Sequence, residues 1–300
     1  MTDTYEGRRL PRPNAHIEDQ GLRFDLETVL GRRHLLRAFG LGAVTVAGLA
    51  ACSNNSDTSG TSNTSDILDS SDSSVSSSAE IPDETAGPYP GDGSNGPNVL
   101  TQSGIVRGDI TSSFGGSTGT AEGVPMTLEL SIVDLAGGGG PFAGVAVYVW
   151  HCDRAGRYSL YSQAVTDQNY LRGVQVADAS GKVRFTSIFP ACYDGRWPHI
   201  HFEVYRNQDA ITSASNAIAT SQVALPKETC QTVYAQPGYE ASVTNLARVS
   251  LQNDNVFGDD GAAHQLGTAT GSVSSGYAVS LTVPVDTRTT PARGGAPGSR

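Results

Sequence analysis

Short apolar runs separated by turn-forming residues recur over residues 82–285, and they constrain the fold more than any other feature. Within each run apolar residues alternate with polar ones or are continuous, as in strands that bury one or both faces. The runs are VPMTLELSIVD, GVAVYVWHCD, KVRFTSIF, HIHFEVY and YAVSLTVPV. Only PKETCQTVYA (226–235) suggests a short helix, with Pro226 at its first turn. We therefore predict an all-β domain, an antiparallel β-sandwich or small barrel with few short helices.

Charge and sequence pattern argue against three classes of protein. The formal net charge of -10 argues against nucleic acid as a partner, because neutralising phosphates needs Lys and Arg. The chain has no βαβ alternation, so the glycine run at 137–140 is expected to be a loop and not a phosphate-binding turn. No apolar run approaches the roughly 20 residues that a membrane-spanning helix needs.

The two ends of the chain have a different character from the β-rich domain. Residues 1–51 have the order of a twin-arginine export signal, with Arg32-Arg33 before an apolar stretch and LAAC at its end. The alternative for this segment is an ordinary amphipathic or buried helix. The final cysteine, Cys52, is expected to carry lipid and to be the chain's only membrane contact. Residues 52–81, rich in Ser, Asn and Asp, predict a disordered stalk, and 286–300 a disordered tail. The expected location is the outer face of the cell membrane, or the medium if the protein is released.

The cysteines give one weaker expectation. If Cys52 is lipidated, Cys152, Cys192 and Cys230 remain, and an oxidising compartment permits one disulfide and one leftover thiol among them. The sequence does not choose the pair. No C-x-x-C spacing occurs, so a cysteine zinc site is not expected.

The stretch FPACYDGRWPHIHFEVY (189–205) contains the first sign of a metal site. His199 and His201 are two residues apart on a predicted strand, so both imidazoles project from one face. Glu203 continues that face and is an alternative third ligand, as in a two-histidine, one-carboxylate iron(II) site or a cupin. The rest of the cupin pattern is absent.

A second set of residues extends the pattern. A strand ending in Trp150 is followed by Gly156-Arg157-Tyr158, and Tyr193 and Arg196 precede the two histidines. In this order the chain resembles the intradiol ring-cleaving dioxygenases, the family of protocatechuate 3,4-dioxygenase and catechol 1,2-dioxygenase. The resemblance covers about 84–225. It implies that four side chains bind ferric iron: Tyr158, Tyr193, His199 and His201.

The resemblance also implies roles around the metal. Arg196 matches the family's active-site arginine, and Tyr89 matches a residue that approaches the substrate. Gln222 would orient Arg196 or a hydroxide on the metal. Substrates would be an aromatic diol and O2, with Tyr193 displaced by the diol and Tyr158 staying bound. Two tyrosinates with two neutral imidazoles suit ferric iron, because anionic oxygens stabilise the higher charge.

Two features depart from the family's pattern. Only five residues separate Tyr193 from His199, fewer than the family usually has, and the stalk stands where a helical dimerisation region would be. The chain thus looks like the secreted actinobacterial branch of the family, with a more open site.

Each proposed ligand also has a structural interpretation. The tyrosines could be sandwich residues whose hydroxyls bond the backbone. We assign this role to four others: Tyr148, Tyr161, Tyr170 and Tyr205. His151 is expected to be structural and His264 exposed. A non-catalytic binding module, including a polysaccharide-binding lipoprotein, and a metal oxidase using His199, His201 and Glu203 are the alternative functions. The ring substituents of the substrate and the oligomeric state are not indicated.

Overall fold

The computed structural model describes residues 79–291 and, near the start of the chain, two short strands, β1 (Thr4–Tyr5) and β2 (Arg8–Arg9), paired antiparallel. Apart from these two strands, the predicted export signal lies outside the described residues, as do Cys52, nearly all of the stalk and the end of the tail. No helix in the described part of the chain has the length and apolarity needed to cross a membrane.

The described domain is built mainly of strands. They are β3 (Pro125–Asp134), β4 (Gly140–Pro141), β5 (Ala146–Trp150), β6 (Arg172–Val176), β7 (Lys182–Ile188), β8 (His199–Tyr205), β9 (Ala217–Ala224), β10 (Thr268–Ser272) and β11 (Gly276–Val285). The helices are α1 (Lys227–Tyr234) and α2 (Glu240–Leu246). Short 3₁₀ turns cover Gln163–Val165, Gln208–Thr212, Ala214–Asn216 and Phe257–Asp259.

The predicted β-sandwich is confirmed. In one sheet the order is β10-β11-β3, and both β7 and β4 pair with β3 on the side opposite β11, one after the other along the strand. The other sheet has the order β6-β5-β8-β9. The expectation that all strands run antiparallel fails at one place, because β11 pairs parallel to β3 from Tyr277↔Met126 to Val285↔Asp134. These two strands are separated by most of the domain, so no hairpin turn imposes an antiparallel pairing on them.

The main core lies between the sheets and is filled by the apolar residues of the alternating strands. From β3 it takes Met126, Leu128, Leu130 and Ile132. From the facing sheet it takes Val147, Val149, Ile200, Phe202 and Val204. The helix predicted at 226–235 is confirmed as α1, whereas α2, β4, β6 and β10 had no clear sequence signal.

The outer face of the four-stranded sheet is also covered, and this is what creates a site. Every residue of β5 and β8 is buried, including those that point away from the main core. A second apolar cluster lies on this outer face, where Tyr148 and Trp150 pack with Val99, Leu100 and Ile105 of the segment that precedes β3. Polar residues of β8 that alternation would place in water are therefore enclosed.

Candidate metal centre

A row of four side chains crosses the outer face of this sheet. Strand register sets Arg172 opposite Trp150, Trp150 opposite His201, and His201 opposite Gln222. The indole ring of Trp150 stacks on the imidazole of His201, with centroids 4.9 Å apart and planes 6° from parallel. This stacking fixes the ring orientation of His201, as a metal ligand requires.

The two histidines converge as predicted. His199 Nε2 and His201 Nε2 are 3.0 Å apart, and His199 Nδ1 is 2.5 Å from the carbonyl oxygen of Trp197. Because a carbonyl only accepts, Nδ1 of His199 carries the proton and Nε2 presents its lone pair. Burial and then the charge of Arg196 lower the pKa of His199 well below its usual value. Burial, then the neighbouring His199, and then Arg196 lower the pKa of His201 in the same way. Both are therefore neutral and available as ligands.

Two tyrosines from separate loops complete the cluster. Tyr193 comes from the turn before β8, and its hydroxyl is 3.1 Å from His199 Nε2. Tyr158 comes from the loop after β5, with its ring centroid 5.9 Å from that of Tyr193 and 6.1 Å from that of His201. Burial and then the neighbouring Tyr193 raise the pKa of Tyr158 well above its usual value. Without a cation, the fold thus favours the neutral phenol.

The hydroxyl of Tyr158 distinguishes it from the structural tyrosines. Although fully buried, it makes no hydrogen bond of ordinary geometry, and its raised pKa shows that Tyr193 is its polar neighbour. The four tyrosines assigned to structural roles all donate to a protein oxygen: Tyr148 to Pro90, Tyr161 to Asn95, Tyr170 to Asp153 and Tyr205 to Glu203. An unpartnered buried hydroxyl costs about 1–3 kcal/mol, so its retention needs a reason.

The donor set fits a ferric ion. Ligands bonded at about 2.1 Å to one transition metal lie roughly 3 Å from one another, which matches the spacing of the two Nε2 atoms and of Tyr193 Oη from His199. Two imidazoles and two phenols offer two neutral and two ionisable donors. A highly charged cation is what would offset the raised pKa of Tyr158 and use its unpartnered oxygen.

Arg196 lies beside this cluster and is held on two sides. Its Nη2 donates to Gln222 Oε1 at 2.7 Å, and its Nε donates to Asp254 Oδ2 at 3.0 Å. Burial acts to lower the pKa of Arg196, but the charge and hydrogen bond of Asp254, together with Tyr193 and Tyr158, outweigh burial and raise that pKa. The predicted pairing of Gln222 with Arg196 is thus present in the structure. Asp254 was missed, because it lies in a polar loop that has no strand or motif signal.

The segment that begins at Glu84 passes over the histidines. Gly87 has φ +71°, and a Cβ at that position would be 3.3 Å from Cε1 of His201, so both conformation and space require glycine. The ring of Tyr89 packs 4.9 Å from that of Tyr158. Tyr89 therefore adjoins Tyr158; its contact with substrate stays a prediction.

Glu203 does not join the histidines. It accepts a hydrogen bond from the hydroxyl of Tyr205 at 2.7 Å, and burial followed by the neighbouring Asp92 raises its pKa well above the usual value. Across the described residues, no three His, Cys, Asp or Glu side chains come together as a metal site. The alternative centre of His199, His201 and Glu203 is therefore wrong, because the third side chain points into a separate polar cluster.

The expectation of a disulfide is also wrong. Cys152, Cys192 and Cys230 are buried free thiols. His151 has the structural role expected of it, with Nε2 2.7 Å from Ser187 Oγ and Nδ1 2.8 Å from the Cys152 carbonyl, and burial lowers its pKa to about 4. His264 is exposed, as predicted.

Known proteins resemble the chain in both sequence and fold. Residues 95–202 match the profile of a family described as "Dioxygenase". A chlorocatechol 1,2-dioxygenase from Rhodococcus opacus is 41% identical over 69 residues, which are 23% of this chain and 26% of that protein. A catechol 1,2-dioxygenase from Pseudomonas sp. (strain EST1001) is 36% identical over 72 residues, 24% of this chain and 23% of that protein. The match thus spans about a quarter of each curated relative's length.

A solved structure shares the fold over a larger part of the chain. The intradiol ring-cleavage dioxygenase from Tetranychus urticae superposes with a TM-score of 0.55 at 21% identity, covering 72% of this chain and 98% of that one. The sequence matches, each of which covers only part of the chain, indicate the intradiol ring-cleavage dioxygenase family. The resemblance predicted from the sequence is thereby confirmed at the level of the family.

Proposed function

We propose that the chain is an exported iron(III) enzyme that cleaves a catechol-type ring between its two hydroxylated carbons. It uses O2 and forms a muconate-type diacid. The observation that carries the proposal is the hydroxyl of Tyr158, which is buried without a partner beside Tyr193 and His201. The two curated relatives are named for catechol and chlorocatechol, which supports catechol as the first substrate to test.

The residues that would hold the metal are Tyr158, Tyr193, His199 and His201. Ferric iron bound there would supply the Lewis acidity and redox chemistry that allow an aromatic diol to react with O2. The carbonyl of Trp197 keeps Nε2 of His199 unprotonated, and the stacked ring of Trp150 keeps His201 in place. The protein thus supplies an ordered set of donors inside an enclosed site.

The two tyrosines differ in their freedom to move. Tyr158 is 1% exposed, whereas Tyr193 is half-buried in a turn and can rotate without breaking a strand pairing. Tyr193 would be a phenolate when it holds the metal, so its Oη is assigned the acceptor of one proton from the incoming diol, and the resulting neutral phenol can turn toward solvent. Tyr158 keeps its position throughout. The difference in burial supports this division of roles.

Arg196 is assigned the stabilisation of negative charge that develops on the reacting ring and oxygen. Its guanidinium is fixed before substrate arrives, so donating N–H groups requires little reorganisation. Arg196→Ala should retain coloured iron and lose turnover by about 10²-fold or more, as for other preorganised donors. Turnover that survives in this variant would contradict the role.

The activity is tested with catechol and ¹⁸O₂ on the iron-loaded full chain. Intradiol cleavage predicts a cis,cis-muconate that contains both labelled atoms, because the ring opens between the two hydroxylated carbons. A product opened beside the diol, a quinone without label, or no oxygen uptake by iron-loaded protein would overturn the proposal.

Export belongs to the same proposal and is supported by the order of charged, apolar and small residues ending at Cys52. Replacing Arg32 and Arg33 together by lysine should leave the precursor inside the cell. Cys52→Ser should abolish metabolic labelling with a fatty acid while leaving the enzyme active. Normal export of the double-lysine variant would contradict the twin-arginine route.

A further inference from the structure

We propose that Asp254 is a positioning residue that orients Arg196 and cancels its net charge, so that Arg196 acts through directed N–H groups. The inference rests on the proposed function and adds a residue that the family resemblance did not indicate. Asp254 lies in the loop between α2 and the 3₁₀ turn Phe257–Asp259, far from Arg196 in sequence. Its side chain is fully buried, and that of Arg196 is 6% exposed.

The carboxylate of Asp254 is itself held in place by the backbone. Its Oδ2 accepts from the Trp197 N–H at 2.6 Å, and its Oδ1 accepts from the N–H groups of Val256 at 2.8 Å and Phe257 at 3.0 Å. With the Nε of Arg196 it thus makes four hydrogen bonds. Because the backbone already fixes the carboxylate, Asp254 determines where the guanidinium of Arg196 lies.

The other side of the guanidinium is fixed by Gln222. Its amide oxygen accepts from Arg196 Nη2, and its Nε2 donates to the Thr85 carbonyl at 2.9 Å. Arg196 is therefore held between a loop and strand β9, with the ring of Phe257 5.9 Å from the guanidinium carbon. Nη1 makes no hydrogen bond within the described residues, so its two N–H groups are available to a ligand.

The negative charge of Asp254 explains how the positively charged Arg196 can be buried beside the histidines. An unpaired guanidinium would be buried beside the two histidines and beside any cation that they bind, and its lost hydration would strongly disfavour the folded site. Paired with Asp254, it is nearly neutral at a distance but keeps its hydrogen-bonding geometry. We therefore expect Asp254 to affect the rate of reaction more than the binding of an uncharged diol.

A double-mutant cycle on the iron-loaded full chain tests this inference. Its members are the wild type, Asp254→Asn, Arg196→Gln and the double variant. In the wild-type background, Asp254→Asn should lower kcat for catechol at least about tenfold, because a misplaced donor costs much of its effect. KM should change less than about threefold, as expected for an interaction that forms mainly in the transition state. In the Arg196→Gln background, the same change should leave kcat within about twofold.

A second readout does not depend on activity. In metal-free protein, the Arg196 Nε–H resonance is assigned by its loss in Arg196→Gln, and it should be protected from solvent exchange. Asp254→Asn should shift this resonance and speed its exchange. Asp178→Asn is the matched control, because Asp178 also accepts two backbone N–H groups in a turn but is exposed and remote from the site. That control should change neither the resonance nor kcat.

The outcomes separate the two proposals. Wild-type protein that binds iron but does not cleave catechol contradicts the proposed function, while the resonance measurement still tests Asp254. If the wild type cleaves catechol but the losses of kcat in the two single variants add up in the double variant, the positioning role is overturned. Asp254 would then act independently of Arg196, through the structure of its own loop. An unchanged resonance in Asp254→Asn would also overturn it.

Discussion

Strands β7 and β8 have the same length and the same alternation of polar and apolar residues, but their polar faces have opposite surroundings. In β7, Lys182, Arg184 and Thr186 are exposed while Val183 and Phe185 are buried. In β8, His199, His201 and Glu203 are as buried as Ile200 and Phe202. The pattern alone identifies the residues that face the core. Whether the other face meets water depends on segments elsewhere in the chain.

The covering of one outer face has a chemical consequence. In β7 the charged side chains pair with Glu129 at the surface, at 2.7 and 3.0 Å, where water screens them. In β8 the same positions lose their hydration, so the imidazoles stay neutral and face two phenols. A polar strand face becomes a metal centre only when it is enclosed together with donors from other loops.

The largest expected effect is at the enclosed face. Tyr158→Phe removes a hydroxyl that bonds nothing in the fold, so the metal-free protein should unfold at the same denaturant concentration or slightly above it. Iron binding, or at least about 10²-fold of the activity, should be lost, since one of four ligands is missing. Metal analysis and oxygen uptake measure this.

Tyr205→Phe is the matched control for that prediction. It removes a hydroxyl that donates to Glu203, so it should destabilise the fold by about 1–3 kcal/mol and leave iron content unchanged. If Tyr158→Phe kept its iron and activity, the distinction between a ligand and a structural tyrosine would fail.

Substitutions on the inner faces of β7 and β8 should lower the free energy of unfolding by similar amounts. Phe185 and Phe202 are both fully buried in the main core. Phe185→Ala and Phe202→Ala should each lower the free energy of unfolding by about 3–5 kcal/mol, because both create a cavity. Urea denaturation of metal-free protein measures the two losses. A difference of more than about 2 kcal/mol between them would show that the sheets do not share one core.

Glu84, in the segment that covers the outer face of β8, should make the free energy of unfolding depend on pH. Burial, and then the nearby Asp259, raises the pKa of Glu84 to about 8. Folded protein therefore holds a proton that unfolded protein releases between about pH 4.5 and 8, so stability should fall as pH rises through that window. The loss should be about 2 kcal/mol, since Glu84 is only partly buried.

Glu84→Gln tests this assignment, because an amide cannot ionise. The variant should be more stable than the wild type at pH 8 and should show a flatter dependence of unfolding free energy on pH. Equal slopes for the two proteins would mean that Glu84 titrates normally, and thus that the covering segment is solvated.

The smallest effect is expected at the solvated polar face. Arg184 is exposed and pairs with Glu129, a contact worth at most about 1 kcal/mol. Arg184→Gln should leave iron content and kcat unchanged and should shift stability by less than that amount. Loss of iron in this variant would contradict the separation between the two outer faces.

Much of this arrangement was accessible from the sequence because it depends on local periodicity and on short motifs. The alternation in β3, β7 and β8 predicted those strands, and the two-residue spacing of His199 and His201 predicted their convergence. The enclosure of β8 was not predictable in this way, because it arises from a segment some hundred residues earlier that lacks regular structure. Asp254 was hidden for the same reason: only the fold brings its loop to Arg196.

The parallel pairing of β3 with β11 shows a second limit. Both strands were predicted, but their relative direction depends on how the chain returns across the whole domain. Glu203 shows a third. Alternation placed it correctly on the face of the histidines, and only the packing of Asp92 and Tyr205 separates it from the proposed metal site.

The most direct test of the central claim is the visible absorption spectrum of iron-reconstituted full chain, recorded before and after anaerobic addition of catechol. If Tyr158 and Tyr193 bind ferric iron, a broad tyrosinate-to-iron charge-transfer band is present, and catechol shifts it to longer wavelength. The band should be lost or reduced in Tyr158→Phe and retained in Tyr205→Phe. A colourless protein that retains no iron after reconstitution would contradict the account.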